Sequence, residues 1–302
     1  MKKKRMNRMD IKAYLNEKKE LVDNALKRYF LDSGDNALKT LKESMRYSLF
    51  AGGKRLRPIL CIAAAEALGG NQQDVLPVAC ALEFIHTYSL IHDDLPVMDD
   101  DDLRRGRPTN HKIFGDAIAL LAGDGLLTDA FYVMSNDKNT DPVRLLKVIN
   151  LIARAAGSNG MVGGQVADIQ SEGKDVDINM LEFIHTHKTG ALITASVTSG
   201  AILAGGTEEE IEAISGYGKS IGLAFQIADD ILNVIGDPRL LGKSVGSDKE
   251  KHKITYPGIV GLERSKEIQR NLVEHAISFL DQFDSRANPL RGIAKYIIER
   301  KK

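Results

Sequence analysis

The sequence has little cysteine and no net charge. Its 302 residues include 2 cysteines, and 41 basic residues balance 41 acidic ones. Cys61 and Cys80 both lie in apolar, helix-like segments, so we expect buried thiols and no disulfide framework, which fits a reducing cytoplasm. The zero net charge, and the lack of a basic patch interleaved with aromatic side chains, argue against a nucleic-acid partner.

The sequence also lacks a long hydrophobic run. The basic residues 1–10 are followed by a mixed and charged segment, so we expect no signal peptide. The least polar stretch, residues 191–206, is too short and too rich in serine, threonine and glycine for a membrane span. We therefore expect a cytoplasmic protein without a stable membrane span.

A third absence is the strand-like alternation of apolar and polar residues. Apolar residues instead recur at spacings of three and four, which is typical of helices. No linker or low-complexity stretch divides the chain, so the pattern predicts one all-α domain over residues 1–302. The predicted helices are Ile11–Phe30, Ala37–Leu49, Ile59–Leu68, Val78–Ile91, Ile113–Met134, Val143–Ala156, Met180–Leu203, Ile211–Ile235 and Ile268–Phe283.

Two acidic clusters stand out in these apolar surroundings. In the first, Asp93 and Asp94 end an apolar segment and Asp99 begins a run of four aspartates. Pro96 disfavours helical backbone before it, so we expect the helix to end after Asp94 and the chain to return Asp99 towards Asp93. A solvated acidic loop is the alternative. Uncompensated charge near a core is costly, however, and this favours a cation site.

The second acidic cluster forms a stripe on one predicted helix. Gln226, Asp229, Asp230 and Asn233 are spaced i, i+3, i+4 and i+7 among apolar residues. A plain amphipathic surface helix is the alternative interpretation. Two separate carboxylate clusters are best explained by hard cations with an anion between them. Together they indicate a polyphosphate substrate held through Mg²⁺.

Basic residues beside a glycine turn support an anionic ligand. Lys54, Arg55 and Arg57 follow Gly52–Gly53, where backbone N–H groups could cradle phosphate. Arginine suits bidentate phosphate contact, and lysine adds a point charge. Basic loops are common, so this signal is weak by itself.

Taken together, these segments resemble the trans-isoprenyl diphosphate synthases, most closely the bacterial farnesyl diphosphate synthases. The resemblance covers residues 52–257. In the order of that family, the chain contains GGKRLRP, LIHDDLPVMDDDDLRRGRPTNHK, LLAGDGLL, GMVGGQVADI, HKTGALI, FQIADDILNVIGD and LGKSVGSDKEKHKITYP. The resemblance implies the all-α isoprenoid synthase bundle, with the two acidic motifs facing each other across a central cavity. It also suggests a homodimer.

The resemblance further implies roles for individual residues. Magnesium would be held by Asp93, Asp94, Asp99, Asp229, Asp230 and Asn233. The allylic substrate, dimethylallyl or geranyl diphosphate, would be bound with help from Arg104, Lys188 and Lys243. Isopentenyl diphosphate would be bound by Lys54, Arg57, His86 and Arg105, although a lone histidine on an apolar helix is usually a core residue. The allylic cation would be stabilised by the dipoles of Gln226, Lys188 and Thr189.

The implied reaction gives farnesyl diphosphate. Magnesium would neutralise the leaving diphosphate so that the allylic C1–O bond ionises. The double bond of isopentenyl diphosphate would attack the cation, and a proton would then pass to the released diphosphate. Tyr88 and Ser89 precede Asp93 by five and four positions, about one helical turn. In this family a bulky aromatic residue at that level blocks the growing chain, so Tyr88 favours a fifteen-carbon product. A tyrosine used only for packing is the alternative.

One residue departs from the family pattern, and three alternative functions stay open. The second motif normally ends in aspartate, but Asn233 lacks the charge, and Asp237 one turn further could partly substitute. The alternatives are a geranylgeranyl diphosphate synthase, a non-catalytic subunit of a heteromeric synthase, and a metal-dependent phosphohydrolase. The last would use His92 and Asp93, but the remaining histidines show no matching arrangement of ligands.

Overall fold

The computed structural model describes residues 9–30, 35–235 and 254–299. Within these ranges the chain is almost entirely helical, so the predicted all-α fold is confirmed. The α-helices are α1 (Ile11–Tyr29), α2 (Lys39–Leu49), α3 (Leu56–Ala67), α4 (Gln72–Asp93), α5 (Asn110–Phe114), α6 (Asp116–Ser135), α7 (Pro142–Ala156), α8 (Met161–Ser171), α9 (Ile178–Ile184), α10 (Ala191–Leu203), α11 (Glu208–Ile235), α12 (Tyr256–Val260), α13 (Leu262–Ser278) and α14 (Asn288–Glu299).

Short elements connect these helices. Strands β1 (Leu103–Arg104) and β2 (Arg107–Pro108) pair in an antiparallel hairpin. The segment His185–Gly190 is a π-helix that joins α9 to α10, so the predicted helix over this region is continuous but locally widened. Short 3₁₀ turns span Asn36–Leu38 and Ser285–Ala287.

The core is built around α4. This helix packs against α3 and α6, and α10 packs against α3 and α11. Cys61 of α3 and Cys80 of α4 are fully buried and free, as predicted. In the described residues α4 and α6 are long and apolar enough to cross a membrane, although most of α4 is buried inside the bundle, as expected of a core helix. The absence of a membrane span therefore stays a prediction.

The helix ends mostly fall where glycine and proline predicted them. Breaks at Gly52–Gly53, Gly69–Gly70 and Gly205–Gly206 separate α2 from α3, α3 from α4, and α10 from α11. The break predicted at Asp237 lies outside the described residues. Helix α8 was not predicted, because its glycines dilute the apolar repeat. Glycine is required at position 164, because a Cβ there would collide with the backbone of Lys188 in the π-helix.

Candidate active site

A cavity of about 490 Å³ lies beside the C-terminal half of α4. Its lining includes seven of the residues predicted for the site, which are Arg57, His86, Tyr88, Ser89, Asp93, Lys188 and Thr189. Most of the other lining side chains are apolar and come from the turn after α4 and from α6 and α8; they include Leu95, Met98, Leu120, Met161, Val162, Val166 and Ile169. The cavity therefore combines a set of charged groups with an apolar surface.

A second cavity, of about 140 Å³, shares two residues with the first. Lys188 and Thr189 border both cavities. The second cavity adds Gln226 and Asp230 of α11, together with Asp168 of α8. The π-helix therefore connects the surroundings of the first acidic cluster with those of the second.

The chain folds back at the first acidic cluster, as Pro96 predicted. Helix α4 ends at Asp93, and the amide of Asp99 donates a hydrogen bond to the carbonyl of Asp93 at 2.9 Å. Burial raises the pKa of Asp93 to about 6, with Lys188 opposing this shift and the charge of Asp99 adding to it. A carboxylate that is so poorly compensated fits a site for a hard cation.

Asp94 differs from its neighbour because it already has a cation. It is 3% exposed, and Arg104 Nε contacts its two carboxylate oxygens at 2.7 and 2.9 Å. The guanidinium of Arg104 also contacts Asp101 at 3.3 Å. In this arrangement Arg104 is engaged by the acidic cluster that it follows in sequence, and it does not line the larger cavity.

Arg105, the next residue, reaches the glycine turn. Its guanidinium donates a hydrogen bond to the carbonyl of Gly52. Gly53 makes this approach possible, because a Cβ at that position would lie 2.8 Å from the Arg105 guanidinium. The hairpin that carries both arginines is anchored on α2, where the Tyr47 hydroxyl donates to the carbonyl of Pro108 at 2.7 Å.

Two of the basic residues predicted to bind isopentenyl diphosphate, Arg57 and Arg105, lie close enough to His86 for their charges to act on it. Burial, and then the nearby charges of Arg57, Arg105 and Arg104, lower the pKa of His86 well below its usual value. Burial also lowers the pKa of Arg57 to about 10, and its buried Nε has no hydrogen-bond partner. A neutral histidine in a positive field beside an unused donor is suited to an anionic ligand.

Arg55 has a structural role, although the sequence placed it among the cations of the glycine turn. It is ion-paired with Glu83 at 2.7 Å and Asp23 at 2.8 Å, and 2% of its side chain is exposed. Lys54 is exposed. The turn therefore directs these two consecutive basic side chains to different environments.

Lys188 and Thr189 lie on the π-helix, and each has a polar partner. Lys188 Nζ contacts Asp168 Oδ2 at 2.6 Å, and the hydroxyl of Thr189 donates to Gln226 Oε1 at 3.0 Å. π-Helical turns are frequently found at functional sites, because they redirect side chains within a helix. The predicted grouping of Lys188, Thr189 and Gln226 is thus present in the structure.

The second acidic cluster is divided between two environments on α11. Asp230 is 4% exposed, and its Oδ2 accepts a hydrogen bond from the amide of Tyr256 at 2.9 Å. Asp229 and Asn233 are partly buried, and the charge of Asp229 acts on Arg57. The predicted stripe therefore does not face one environment, because Gln226 and Asp230 border the smaller cavity whereas Asp229 lines neither cavity. Lys243 lies outside the described residues.

The predicted magnesium ligands are not assembled into a compact site. Among the described residues no group of three or more histidine, cysteine, aspartate or glutamate side chains is close enough to hold a metal ion. The donors are nevertheless hard carboxylate oxygens, which are the ligands that Mg²⁺ prefers. They fit the ion if its coordination is completed by oxygens of a bound diphosphate.

Sequence reasoning assigned no role to two residues of α8 that border the cavities. Asp168 pairs with Lys188, and Gln165 lines the larger cavity with a buried Oε1 that has no partner. Both belong to the GMVGGQVADI motif, and their i, i+3 spacing puts them on one helical face. This spacing of two polar side chains on one helical face is the sequence feature that could have indicated a role for them.

The fold and the cavity define a helical enzyme that handles anionic, partly apolar substrates, and comparison with known proteins identifies the class. Residues 38–288 match the family model of the polyprenyl synthetases, and the chain belongs to that family. This confirms the predicted trans-isoprenyl diphosphate synthase family, and with it a trans-prenyltransferase activity. It also removes the phosphohydrolase alternative.

Three individual proteins show how similar the chain is to members of this family. The chain is 50% identical over 300 residues to large subunit 1 of a chloroplastic heterodimeric geranylgeranyl pyrophosphate synthase of Arabidopsis thaliana, covering 96% of this chain and 80% of that protein. It is 48% identical over 290 residues to a geranylgeranyl diphosphate synthase of Cyanophora paradoxa, covering 95% and 96%. A crystal structure of an FPP/GFPP synthase from Zymomonas mobilis superimposes with a TM-score of 0.85 at 38% identity, covering 96% and 99%.

Proposed function

We propose that this protein condenses isopentenyl diphosphate with an allylic diphosphate in the 490 Å³ cavity, with Mg²⁺ as cofactor. The observation that carries the proposal is the lining of that cavity. Charged groups suited to diphosphates and a continuous set of apolar side chains suited to prenyl chains border the same space. A prenyl diphosphate has both chemical parts.

The allylic diphosphate would lie between the two acidic clusters. Magnesium held by Asp93, Asp94 and Asp99 on one wall, and by Asp229, Asp230 and Asn233 on the other, would neutralise the leaving diphosphate when bound. Lys188 stands beside Asp93 and would add a direct positive contact. Arg104 would bind there after releasing part of its contact with Asp94, and Lys243 would assist.

Isopentenyl diphosphate would occupy the basic group around His86. Arg57 offers an unused buried Nε, and Arg105 lies against the glycine turn. Lys54 is exposed and directly follows the glycine turn, so its charge would add to the positive field at this end of the site. Binding of a diphosphate here would offset the mutual repulsion of these cations, which makes the site selective for multiply charged anions.

The remainder of the site would protect the allylic cation. Apolar side chains of α8 and of the turn after α4 exclude water, which would otherwise capture the cation. Gln226, held by Thr189, presents a fixed amide dipole near the shared edge of the two cavities. These groups require no movement of charge on the protein during the reaction.

The product has two candidates, each with its own support. The names of the relatives favour the twenty-carbon product, geranylgeranyl diphosphate, over the fifteen-carbon product predicted from the sequence. Tyr88 favours farnesyl diphosphate as the second candidate. Its ring lines the cavity, is 6% exposed, and packs edge-on against His92 at 5.6 Å between centroids.

The experiment is an analysis of product length. Purified protein is incubated with isopentenyl and dimethylallyl diphosphates, with magnesium or a chelator, and the dephosphorylated alcohols are separated by chromatography. We expect magnesium-dependent condensation, with geranylgeraniol supporting the first candidate and farnesol the second. A failure to condense would contradict the proposal and favour a non-catalytic subunit of a heteromeric synthase.

Tyr88→Ala tests the chain-length role in the same assay. If the ring limits chain growth, the variant makes a product at least five carbons longer than the wild type does. Tyr296→Ala, in the half-buried part of α14 away from both cavities, is the control and should leave product length unchanged. An unchanged product in Tyr88→Ala would assign this tyrosine to packing alone.

We further propose a homodimer, as the family resemblance suggested. Helices α6 and α7 expose large apolar side chains, including Leu121, Tyr132 and Leu146, each at least half exposed. Light scattering after size exclusion should give twice the chain mass, and a monomer mass would contradict this. The single-domain organisation and the cytoplasmic location stay predictions.

A further inference from the structure

Tyr256 lies behind the site and touches both of its α11 and π-helix walls. The residue is fully buried and does not line either cavity. Its amide donates to Asp230 Oδ2 at 2.9 Å, and its hydroxyl donates to Glu182 Oε1 at 2.8 Å. Its ring stacks on His185, with 5.6 Å between centroids and an interplanar angle of 24°.

These contacts reach the groups that border the smaller cavity. Asp230 accepts the hydrogen bond from the amide. His185 is the first residue of the π-helix, and Lys188 follows it three residues later. His185 Nε2 also lies 3.6 Å from Asp230 Oδ2. The Tyr256 amide, at 2.9 Å, is the closer of these two contacts to the Asp230 carboxylate.

The hydroxyl of Tyr256 provides the one directional contact between its side chain and α9 among the described residues. Without its bond to Glu182 of α9, the ring would keep its apolar contacts with Leu181, Ile227 and Ile231 but would lose its directional tie. Removing the hydroxyl would also take away this donor from Glu182 Oε1, and an acceptor that loses its partner costs free energy. Tyr256 is thus held to α9 through its hydroxyl and to Asp230 through its amide, so a shift of the residue at the first contact would displace it at the second.

We propose that Tyr256 is a positioning residue for the magnesium-diphosphate side of the site. It orients the Asp230 carboxylate through its backbone amide and the π-helical turn before Lys188 through its ring, from a position outside the cavities. The role rests on the proposed function, because it assigns Asp230 and Lys188 to the allylic diphosphate. It predicts that removing the hydroxyl weakens binding of that group while leaving the isopentenyl diphosphate side unaffected.

Tyr256→Phe tests the proposal against a matched control. Tyr217 is also fully buried, lies on α11, and donates its hydroxyl to the carbonyl of Leu290 at 2.7 Å, away from both cavities. Tyr217→Phe therefore also removes one hydrogen-bonded hydroxyl from a buried tyrosine, but from one whose hydroxyl is bonded to Leu290 and not to the α9 side of the site. Binding of inorganic diphosphate with Mg²⁺ is measured by calorimetry, and KM is measured for each substrate.

Tyr256→Phe should weaken magnesium-diphosphate binding and raise the allylic KM by about tenfold, the usual scale for a residue that orients a metal ligand. The KM for isopentenyl diphosphate should change by less than about twofold. Tyr217→Phe should leave all three values near those of the wild type. Glu182→Gln, which keeps an acceptor for the hydroxyl, should resemble the wild type more than Tyr256→Phe does.

The outcomes separate this inference from the function on which it rests. Equal binding by Tyr256→Phe and Tyr217→Phe, in an enzyme that condenses its substrates, would overturn the inference alone. Weaker magnesium-diphosphate binding in Tyr256→Phe, by a protein that forms no prenyl product, would support the inference and overturn the proposed function. A wild type that binds no magnesium diphosphate would overturn both.

Discussion

The two acidic walls of the site are built in opposite ways. The first follows the end of α4 and uses a local bend, in which Asp99 returns to Asp93 and Arg104 neutralises Asp94. The second lies in the last two turns of the long helix α11, and one of its carboxylates accepts a hydrogen bond from Tyr256, which belongs to a later segment. The first wall is thus organised by neighbours in sequence, and the second by neighbours in space.

This difference shows where the charge of each wall is compensated. Asp94 has an internal cation, whereas Asp93, one residue away, is half-buried near the like charge of Asp99, and partial burial raises its pKa to about 6. On the second wall Asp230 accepts a hydrogen bond from a backbone amide, which helps to fix the direction of its carboxylate.

The strongest test of the comparison is to remove one carboxylate from each wall. Asp93→Ala and Asp229→Ala should each lower turnover by at least about 10²-fold, the scale for loss of one electrostatic stabiliser. Asp175→Ala, an exposed aspartate between α8 and α9, is the control and should behave as the wild type does. Near-normal turnover in either variant would mean that its wall is not needed to bind the cation.

A second test concerns stability and separates Asp93 from Asp94. Asp94→Asn breaks a buried ion pair with Arg104 and should lower the unfolding free energy by about 3 kcal/mol. Asp93→Asn should instead stabilise the ligand-free protein at pH 7.5, by up to about 3 kcal/mol, because it removes a carboxylate whose charged form is disfavoured by burial.

The stabilisation expected from Asp93→Asn should depend on pH. A carboxyl group whose pKa is raised on folding costs stability when it is charged, so the cost is full above about pH 6 and disappears below its ordinary value of 3.8. The gain from Asp93→Asn should therefore shrink as the pH falls through this range. Thermal unfolding from pH 4 to pH 7.5 measures it, and destabilisation by both variants at pH 7.5 would contradict the distinction.

The smallest expected effect sharpens the account of the second wall. Asn233→Asp adds the charge that the family pattern has at this position, so the magnesium concentration for half-maximal rate should fall by about threefold, with turnover equal or higher. A magnesium titration of the rate checks this. A large loss of turnover would instead show that the site requires a neutral side chain at residue 233.

Much of the first wall was predictable from sequence, because its determinants are local. Pro96 predicted the end of α4, and the spacing of the aspartates predicted the return of Asp99. The stripe on α11 was equally visible, but the cover over Asp230 was not, since Tyr256 approaches it only through tertiary packing. Helical periodicity identifies which residues share a face and does not identify which segment covers that face.

The basic residues also show that sequence patterns do not identify tertiary partners. Arg55 and Arg57 are two positions apart and equally attractive as phosphate ligands in sequence, yet Arg55 is paired with Glu83 in the core. Only Arg57 lines the cavity. Glu83 is an isolated acidic residue in an apolar helix, which is a signal of a buried partner but does not name it.

The most direct test is a crystal structure of the protein with Mg²⁺ and an unreactive thio analogue of the allylic diphosphate. The account predicts one diphosphate between the two walls, with magnesium ions contacted by Asp93 and Asp99 on one side and by Asp229 on the other, and the prenyl chain in the apolar cavity towards Tyr88. A diphosphate bound without metal, or bound away from either wall, would contradict it.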